Sequence, residues 1–500
     1  MSWDVGSQKV FFIDWSPVSP GWLRHDRASG RFDSVAVPRG VQFVVERPEK
    51  SPTWLESELP WEDRDIHAYV TVMYDAGRYR LWYEALGSYF EKASDDYGVR
   101  LCYAESGDGY HWTKPRLGVV SYCGSKENNI VFDGYVGRKL GYSGGTVFVD
   151  PVAPANERYK LIYTGSVSSI SKAMIRGATS PDGIHWNALR EHLLDDYLSD
   201  TQTTAHYDPR LGRYVGYFRQ SSEEGRRGIA RATTPDFRQW PRPQMMLLLN
   251  GAKDHPSHDL YTNAHVFYQS AGLDQAPEPE NPSEQGRMIL PFRTDVHLMF
   301  PSQYSREKDS VEVHLATSRD GVRWHYWADD PVVDSGHPAG PQQASVYAGC
   351  GLVPIGENRM AIMYVAYPVT HNDPYGDQIS DQAWHLGTYQ WAIWEKDRLV
   401  ALEAQGEGAF TTPGLSLLGR RLMMNVRTEK AGEILVQLRR PYGGEIFAGY
   451  GFSDCDAIRG DQPAAVVTWR GNSELGHLVG QPLEIDVRMR TARIYCFWTE

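Results

Sequence analysis

The stretch YAESGDGYHW, at Tyr103–Trp112, is followed by three variants of the same phrase. They are GATSPDGIHW at Gly177–Trp186, RATTPDFRQW at Arg231–Trp240 and LATSRDGVRW at Leu315–Trp324. Each variant places Ser or Thr shortly before an Asp and ends on a Trp. Such an Asp accepts backbone N–H groups within a turn, and the Trp packs between neighbouring sheets. The repetition therefore predicts a fold of repeated β units in which these Asp residues are structural.

Alternating β-branched and aromatic residues before the phrases predict pairs of strands. The order hairpin, third strand, Asp turn, fourth strand is typical of a four-stranded propeller blade. Four phrases and one blade without the phrase predict a five-bladed β-propeller over residues 1–405, with an N-terminal extension at 1–45. The five strand pairs read AYVTVMYDAGRYRLWYEA, GTVFVDPVAPANERYKLIYTG, TTAHYDPRLGRYVGYFR, DLYTNAHVFY and QASVYAGCGLVPIGENRMAIMYVAY.

The pattern changes in the last part of the chain. GEGAFTTPGLSLLGRRLMMNVRTEKAGEILVQLRRPYGG, from Gly406, and EIDVRMRTARIYCFW, from Glu484, alternate as short strands without the Asp turn. Residues 406–500 are therefore predicted to form a C-terminal β-sandwich domain of typical small-domain size. The predicted fold class is all-β, a five-bladed β-propeller followed by a β-sandwich.

Composition and charge exclude several classes of function. The net charge of −12 argues against nucleic acid or an anionic membrane as a partner, because both need a basic surface. The 16 Trp and 29 Tyr suit both a β-rich core and a carbohydrate ligand. The five cysteines are odd in number and far apart, so neither a disulfide framework nor a metal site is predicted, and no cofactor is expected.

The N-terminus MSWDVGSQKVFFIDWSP has neither a charged region nor a long apolar run. We therefore expect a cytoplasmic protein, or a secreted one if a signal peptide precedes this sequence.

Several motifs resemble the five-bladed β-propeller glycoside hydrolases of families 32, 43, 62, 68, 117 and 130. The resemblance covers about residues 40–500 and is nearest to family-32-like proteins with a C-terminal sandwich. It implies sugar hydrolysis in a central funnel, where carboxyl groups from different strands meet and act as acid and base or nucleophile. The matching motifs are PWE at Pro60–Glu62, GSKENNIVFDG at Gly124–Gly134, DTQ at Asp200–Gln202, DLYT at Asp259–Thr262, FPSQY at Phe300–Tyr304 and GEGAFTT at Gly406–Thr412.

The resemblance implies roles for individual residues. Asp200 occupies the place of the family's transition-state stabiliser, and Asp259 occupies the place of its acid Glu, with one methylene less. The place of the nucleophilic Asp falls on His67, and an imidazole there acts as a general base or binds substrate. Asp65 lies close to that position, and Glu84 ends a strand returning to the same face, so all five residues are catalytic candidates.

Further residues are predicted to contact the sugar from their places at the starts of blades. Arg293 and His337 would suit an anionic group such as a uronate or sulfate. The complete set of predicted substrate-binding residues is Glu62, Gln202, Tyr261, Tyr304, Arg293, His337, Gln343 and Tyr347.

The predicted function is exo-acting hydrolysis of a furanoside, of the fructofuranoside or arabinofuranoside class, or of a short oligosaccharide. The predicted partner is a carbohydrate substrate, and self-association into a homo-oligomer is a further possibility. Two alternatives stay open: a carbohydrate-binding propeller without catalysis, which His67 favours, and a phosphate-dependent phosphorylase, which needs a basic pocket.

Overall fold

The computed structural model of the protein describes residues 3–5, 8–27, 29–87, 99–134, 142–166, 173–197, 199, 201–249, 255–269, 294–327, 330–336, 343–372 and 387–500. Within these residues, the regular structure is β-strand apart from short 3₁₀ helices at Pro60–Glu62, Ala155–Glu157 and Gly476–Leu478. The prediction of an all-β chain is confirmed. In the same residues, no helix combines the length and the apolarity that crossing a membrane requires.

Three four-stranded antiparallel sheets follow one another along the chain and are called here the second, third and fourth strand groups. Each contains a hairpin, a third strand, the repeated Asp turn and a short outer strand, in the order that the sequence predicted. The second group comprises Ser143–Val149, Tyr159–Ser166, Ala173–Ser180 and Asn187–Ala188; the third Thr204–Asp208, Arg213–Ser221, Arg227–Thr234 and Gln244–Leu247; the fourth His265–Gln269, Val296–Met299, Leu315–Ser318 and His325–Trp327.

A thirteen-stranded sheet contains the first and fifth strand groups, which are joined by a parallel pairing of Thr71 with Cys350. The first group comprises Asp65–Ile66, Thr71–Asp75, Arg78–Leu86, Val99–Ser106, Trp112–Thr113 and Ile130–Phe132. The fifth comprises Ser345–Pro354, Arg359–Tyr367, Thr388–Glu395 and, from the N-terminal segment, Glu49–Lys50. His258–Leu260, Ser302–Ser305 and Ser310–Val313 complete this sheet.

The outer strand of the fifth group was not predicted from the sequence. Glu49–Lys50 pairs antiparallel with the strand at Thr388–Glu395, at Ile393 and Ala392. The N-terminal segment therefore supplies the strand that the last group lacks.

Buried polar groups join the starts of the first four strand groups. The Gln202 side chain donates to the carbonyl oxygens of Val70 at 3.0 Å and Gly145 at 3.1 Å. The Thr204 hydroxyl donates to the Asn263 side chain at 2.7 Å. These bonds satisfy polar groups that would otherwise be buried without partners, and they hold the starts of the strands together.

Apolar clusters lie between successive strand groups, including one between the fifth group and the first. Each cluster contains aromatic rings from both sides, which supply much of the buried area. Ring pairs across the five junctions are Trp82 with Tyr159, Phe148 with Phe237, Tyr217 with Trp324, Phe300 with Trp394, and Tyr389 with Tyr83.

The Asp of each repeated phrase accepts backbone hydrogen bonds within its turn. Asp182 Oδ1 accepts the N–H groups of Ile184 at 2.9 Å and His185 at 2.8 Å. Burial alone would raise the pKa of Asp182. The bonds from His185 and from the two backbone groups outweigh burial and lower this pKa to about 2. The predicted structural role is therefore seen directly, and the same bonds recur at Asp108 and Asp320.

The turns also bind the neighbouring strand group. In three turns the carbonyl of the glycine after the Asp accepts a hydrogen bond from a neighbouring group. The pairs are Trp82 Nε1 to Gly183, Trp391 Nε1 to Gly109, and the Tyr217 hydroxyl to Gly321. Gly183 has φ +79°, and a Cβ there would lie 2.6 Å from the Trp82 ring. Glycine is needed at this position because of both the backbone conformation and the close approach of the ring.

The C-terminal region forms an eight-stranded sheet together with N-terminal strands. The strand Val400–Thr411 runs through the predicted boundary at 405 and 406, and it pairs with both Gln42–Val45 and Pro482–Thr499. The division into domains stays a prediction. The remaining strands of this sheet are Trp3–Asp4, Val10–Phe11, Leu415–Ser416, Leu422–Arg439 and Asp461–Val466, and a separate hairpin comprises Trp22–Asp26 and Arg31–Val35.

We predict that Tyr217→Phe destabilises the protein by about 1–2 kcal/mol, because the Gly321 carbonyl loses its donor inside the structure. Equilibrium urea unfolding would measure the change. Tyr110→Phe, at an exposed tyrosine, serves as the control and should change the free energy of unfolding by less than about 0.5 kcal/mol. Equal effects of the two substitutions would contradict the role assigned to this bond.

Candidate active site

The predicted site residues fall into three sets. Asp65, His67 and Glu84 lie together and are called here the carboxylate–imidazole group. Glu62, Gln202, Asp259, Tyr261, Tyr304, Gln343 and Tyr347 occupy other positions, described below. Asp200, Arg293 and His337 lie outside the described residues, so their roles stay predictions.

The carboxylate–imidazole group is assembled by strand pairing. The strand at Asp65–Ile66 pairs with the end of Arg78–Leu86, and the His67 N–H donates to the Glu84 carbonyl at 2.8 Å. His67 Nδ1 lies 3.3 Å from Glu84 Oε2, and Glu84 Oε1 accepts the Gly144 N–H at 2.6 Å. The side chain of Glu84 is 0% exposed and that of His67 is 25% exposed. His67 is therefore more accessible to solvent than Glu84, and the buried Glu84 fixes the orientation of the His67 ring.

Burial and charge set the protonation of this group. Burial raises the pKa of Asp65 to about 6, in spite of the nearby His67 and the N–H of Gly387. The pKa of Glu84 is also raised by burial, which outweighs its bonds to His67 and Gly144. Burial alone would lower the pKa of His67, but the bond to Glu84 and the charges of Glu84 and Asp65 raise it. The pKa values of all three groups are thus shifted upwards, those of the two carboxyl groups by burial and that of His67 by its acidic neighbours.

An aromatic wall, formed by Tyr69, Tyr261, Tyr304, Tyr347 and His371, continues from His67. The rings of His67 and Tyr69 are 4.7 Å apart, and the Tyr69 and Tyr261 hydroxyls are 3.5 Å apart. His371 lies 4.8 Å from the Tyr261 ring and shares a 2.6 Å hydrogen bond with the Tyr347 hydroxyl. Aromatic faces with polar edges are suited to stacking on a sugar ring and bonding its hydroxyls.

Two arginines lie against this wall. The Arg219 and Arg227 guanidinium groups lie 5.5 Å and 5.4 Å from the centre of the Tyr261 ring. Arg227 is also 5.9 Å from the Tyr304 ring. The wall therefore combines apolar faces with cationic donors.

Asp259 is fully buried and bound by arginines. Its Oδ2 accepts Arg306 Nε at 2.8 Å, and its Oδ1 accepts Arg306 Nη2 at 2.9 Å and the Arg227 N–H at 2.9 Å. Both oxygens of this carboxyl group are therefore occupied by donors from the protein, whereas a general acid must present an oxygen to the substrate. These contacts favour an anchoring role, and the assignment of Asp259 as the acid stays a prediction.

Glu62 and Gln202 bond to the protein framework. Glu62 accepts the Tyr83 hydroxyl at 2.5 Å and Lys114 Nζ at 2.9 Å, and it is 0% exposed. The side-chain amide N–H groups of Gln202 donate to the backbone carbonyls described above.

Gln343 donates to the Gln390 side chain at 3.4 Å, which makes a polar contact next to the start of the fifth strand group. Contact of Glu62, Gln202 or Gln343 with a sugar stays a prediction.

The sequence did not single out Tyr69, His371, Arg219 or Arg227. Tyr69 follows His67 by two positions in WEDRDIHAYV. Side chains two positions apart in an extended chain lie on the same face, so this spacing could have indicated that Tyr69 lies beside His67. His371 and the arginines reach the wall from distant strands and loops, and no local pattern in the sequence marks that convergence.

Comparison with protein-family models and with curated proteins finds no match. Among solved structures, the β-fructofuranosidase from Schwanniomyces occidentalis complexed with fructosyl-erythritol is 12% identical, with 91% of this chain and 97% of that chain covered and a TM-score of 0.42. The catalytic domain of the Coprinopsis cinerea family 62 α-L-arabinofuranosidase is 14% identical, with coverage of 69% and 97% and a TM-score of 0.40.

An N-acetylgalactosamine deacetylase from F. plautii, in complex with blood group B trisaccharide, is 12% identical, with coverage of 72% and 97% and a TM-score of 0.45. The chain is thus similar to structures of glycoside hydrolases from several families, as the sequence motifs predicted.

We predict that Glu84→Gln lowers the pKa of His67 by about one pH unit or more, because it removes the opposite charge that raises that pKa. Titration of the His67 ring by NMR, with selectively labelled histidine, measures this. Glu357→Gln, at an exposed carboxylate, is the matched control and should leave the titration unchanged. An unchanged pKa in Glu84→Gln would contradict the coupling between the two side chains.

Proposed function

We propose that the chain is a glycoside hydrolase built as a five-bladed β-propeller, over residues 1–405, and a C-terminal β-sandwich over residues 406–500. The propeller proposal is supported by the five strand groups, the polar contacts among their first strands and the apolar cluster at each junction. In a propeller, the first strands converge on one funnel, where the carboxylate–imidazole group would lie.

The observation that carries the function is the carboxylate–imidazole group beside the aromatic wall. Glycosidic cleavage needs one group that protonates the leaving oxygen and another that is ionised. Asp65 is proposed as the ionised group and His67 as the proton donor, because the acidic neighbours of His67 raise its pKa above the ordinary 6.5, while that of Asp65 is about 6. Tyr69 and Tyr261 lie where the sugar ring would stack.

The proposed mechanism is a single displacement by water. The His67 imidazolium donates its proton to the glycosidic oxygen as the bond to the anomeric carbon breaks. Asp65 accepts a proton from the attacking water, whose oxygen bonds to that carbon. Glu84 touches no substrate and is a positioning residue, since it fixes the His67 ring and keeps it protonated.

The proposed substrate is a furanoside of the fructofuranoside or arabinofuranoside class, or a short oligosaccharide, cleaved at a chain end. This choice is supported by the motif resemblance, and by the closed base of a propeller funnel, which accepts chain ends. Arg219 and Arg227 would bond hydroxyl groups of the bound sugar.

Two observations favour other functions. His67 stands where the resembling enzymes carry a nucleophilic Asp, which would suit a sugar-binding propeller without catalysis. The arginines on the aromatic wall would also suit a phosphate, as a phosphorylase requires. Assays with and without inorganic phosphate separate hydrolysis from phosphorolysis.

The proposal predicts that the wild-type protein releases a monosaccharide from at least one member of a panel of para-nitrophenyl furanosides and pyranosides, inulin, levan and arabino-oligosaccharides. Asp65→Asn and His67→Gln should each lower kcat about 10²–10⁴-fold, because each removes a proton-transfer group. Glu84→Gln should lower kcat less, because His67 remains.

The matched controls are Glu357→Gln and His477→Gln, at exposed positions, which should keep wild-type kcat. Full activity in both Asp65→Asn and His67→Gln would refute the assigned roles. Failure of the whole panel, together with sugar binding measured by calorimetry, would favour the binding propeller.

The pH dependence follows from the same groups. We predict that kcat/KM rises as the pH increases through about 6, where Asp65 loses its proton. It should fall again above the ordinary histidine value of 6.5, as His67 loses the proton that it donates. Steady-state kinetics across the pH range test both limbs. In Glu84→Gln the alkaline limb should move to lower pH, and an unmoved limb would show that His67 is not the acid.

A further inference from the structure

Three histidines face one another between the third and fourth strand groups, in a region that the proposed active site does not use. His206 lies in the strand Thr204–Asp208, His265 in His265–Gln269 and His297 in Val296–Met299. One ring nitrogen from each lies within 4.8 Å of the others. Their positions in the sequence, 206, 265 and 297, follow no metal-binding spacing, so only the fold brings them together.

One of the nitrogen–nitrogen distances is that of a pair of metal ligands. His265 Nε2 and His297 Nδ1 are 3.3 Å apart. Two nitrogens bound at about 2.0–2.1 Å to a tetrahedral ion are separated by about 3.3–3.4 Å. The ring centres of His206 and His265 are 4.6 Å apart, and those of His265 and His297 are 5.5 Å apart.

The polar atoms of His206 are unusual for a protein interior. Both of its ring nitrogens are buried, and neither has a hydrogen-bond partner among the residues that the structure describes. An unpaired buried polar group is costly, and native structures usually satisfy such groups with a partner, a water or an ion. A cation held by the three rings would satisfy one of these nitrogens.

The surroundings are apolar and aromatic. The Tyr217 ring lies 4.5 Å from His265, the Phe267 ring stacks on His297 at 4.5 Å, and Trp324 packs against both histidines. Such a shell controls the access of solvent to a bound ion.

The charges around the cluster include both signs. Asp208 and Asp320 are the anions that act on these rings, and Arg210 and Arg231 are the cations. The three facing ligands are all imidazole rings, and none of them is a carboxylate.

We propose that His206, His265 and His297 bind one divalent transition-metal ion of the zinc class. Imidazole nitrogens suit zinc, copper, iron and nickel, whereas calcium and magnesium require oxygen ligands. A water completes a four-coordinate site. Because His206 belongs to one strand group and the other two ligands belong to the next, the ion ties the two groups together. The site is separate from the proposed glycosidase chemistry.

The test uses the full-length protein, stripped with a chelator and reloaded with Zn²⁺, and metal content is measured by mass spectrometry. Wild type is expected to hold one zinc per chain, and His206→Gln is expected to bind zinc about 100-fold more weakly. His325→Gln, at an exposed histidine of the same sheet as His265 and His297, is the matched control and should keep the zinc.

X-ray absorption on zinc-loaded wild type gives a readout that needs no variant, and three imidazole ligands per zinc are expected. The proposal is overturned if wild type retains no zinc after reloading. Equal zinc binding by His206→Gln, or fewer than three imidazoles in the absorption spectrum, also overturns it. If His206→Gln fails to fold, the wild-type spectrum alone decides.

Discussion

A hydrogen bond crosses three of the five junctions between strand groups, and it is the constraint on which the rest of the structure depends. The repeated turn must present one carbonyl outward, and a buried Trp or Tyr of the preceding group must meet it, as Trp82 meets Gly183. This bond fixes the spacing of neighbouring groups at their outer side. Buried bonds from Gln202 fix it at the centre. Because the spacing is fixed at both the outer side and the centre, the first strands approach each other in one arrangement. In this arrangement the Glu84 carboxylate accepts the Gly144 N–H.

The all-β class and the strand pattern were predictable because their determinants are local. Asp turns, glycines with positive φ and alternating strands all lie within short stretches, and each predicted hairpin of the second and third groups is present. The contribution of Glu49–Lys50 to the fifth group was not predictable, because two residues carry no pattern and their partner strand is distant in the chain. The same holds for the N-terminal strands that join the C-terminal sheet.

The candidate site was predictable only in part. Asp65, His67 and Glu84 were named from their places along the chain, and strand pairing brings them together. Asp259 was named on the same grounds, yet its arginine partners lie at the start of a strand and in a turn that no motif marks. The environment of a carboxyl decides whether it is an acid, an anchor or a base. That environment is assembled from residues far apart in sequence, as the contacts of His371 with Tyr347 and Tyr261 also show.

The pairing of Glu49–Lys50 with the fifth group also has a bearing on the order of folding. The neighbouring Ser51 donates its N–H to the carbonyl of Trp391, 340 positions away, and its hydroxyl oxygen accepts the Trp391 N–H. During synthesis this segment therefore leaves the ribosome long before its partner strand exists. Closing so long a loop costs conformational entropy, and contacts of such sequence separation slow folding. The earliest strand of this sheet is thus among the last to be paired, and until then the edge at Thr388–Glu395 lacks this partner.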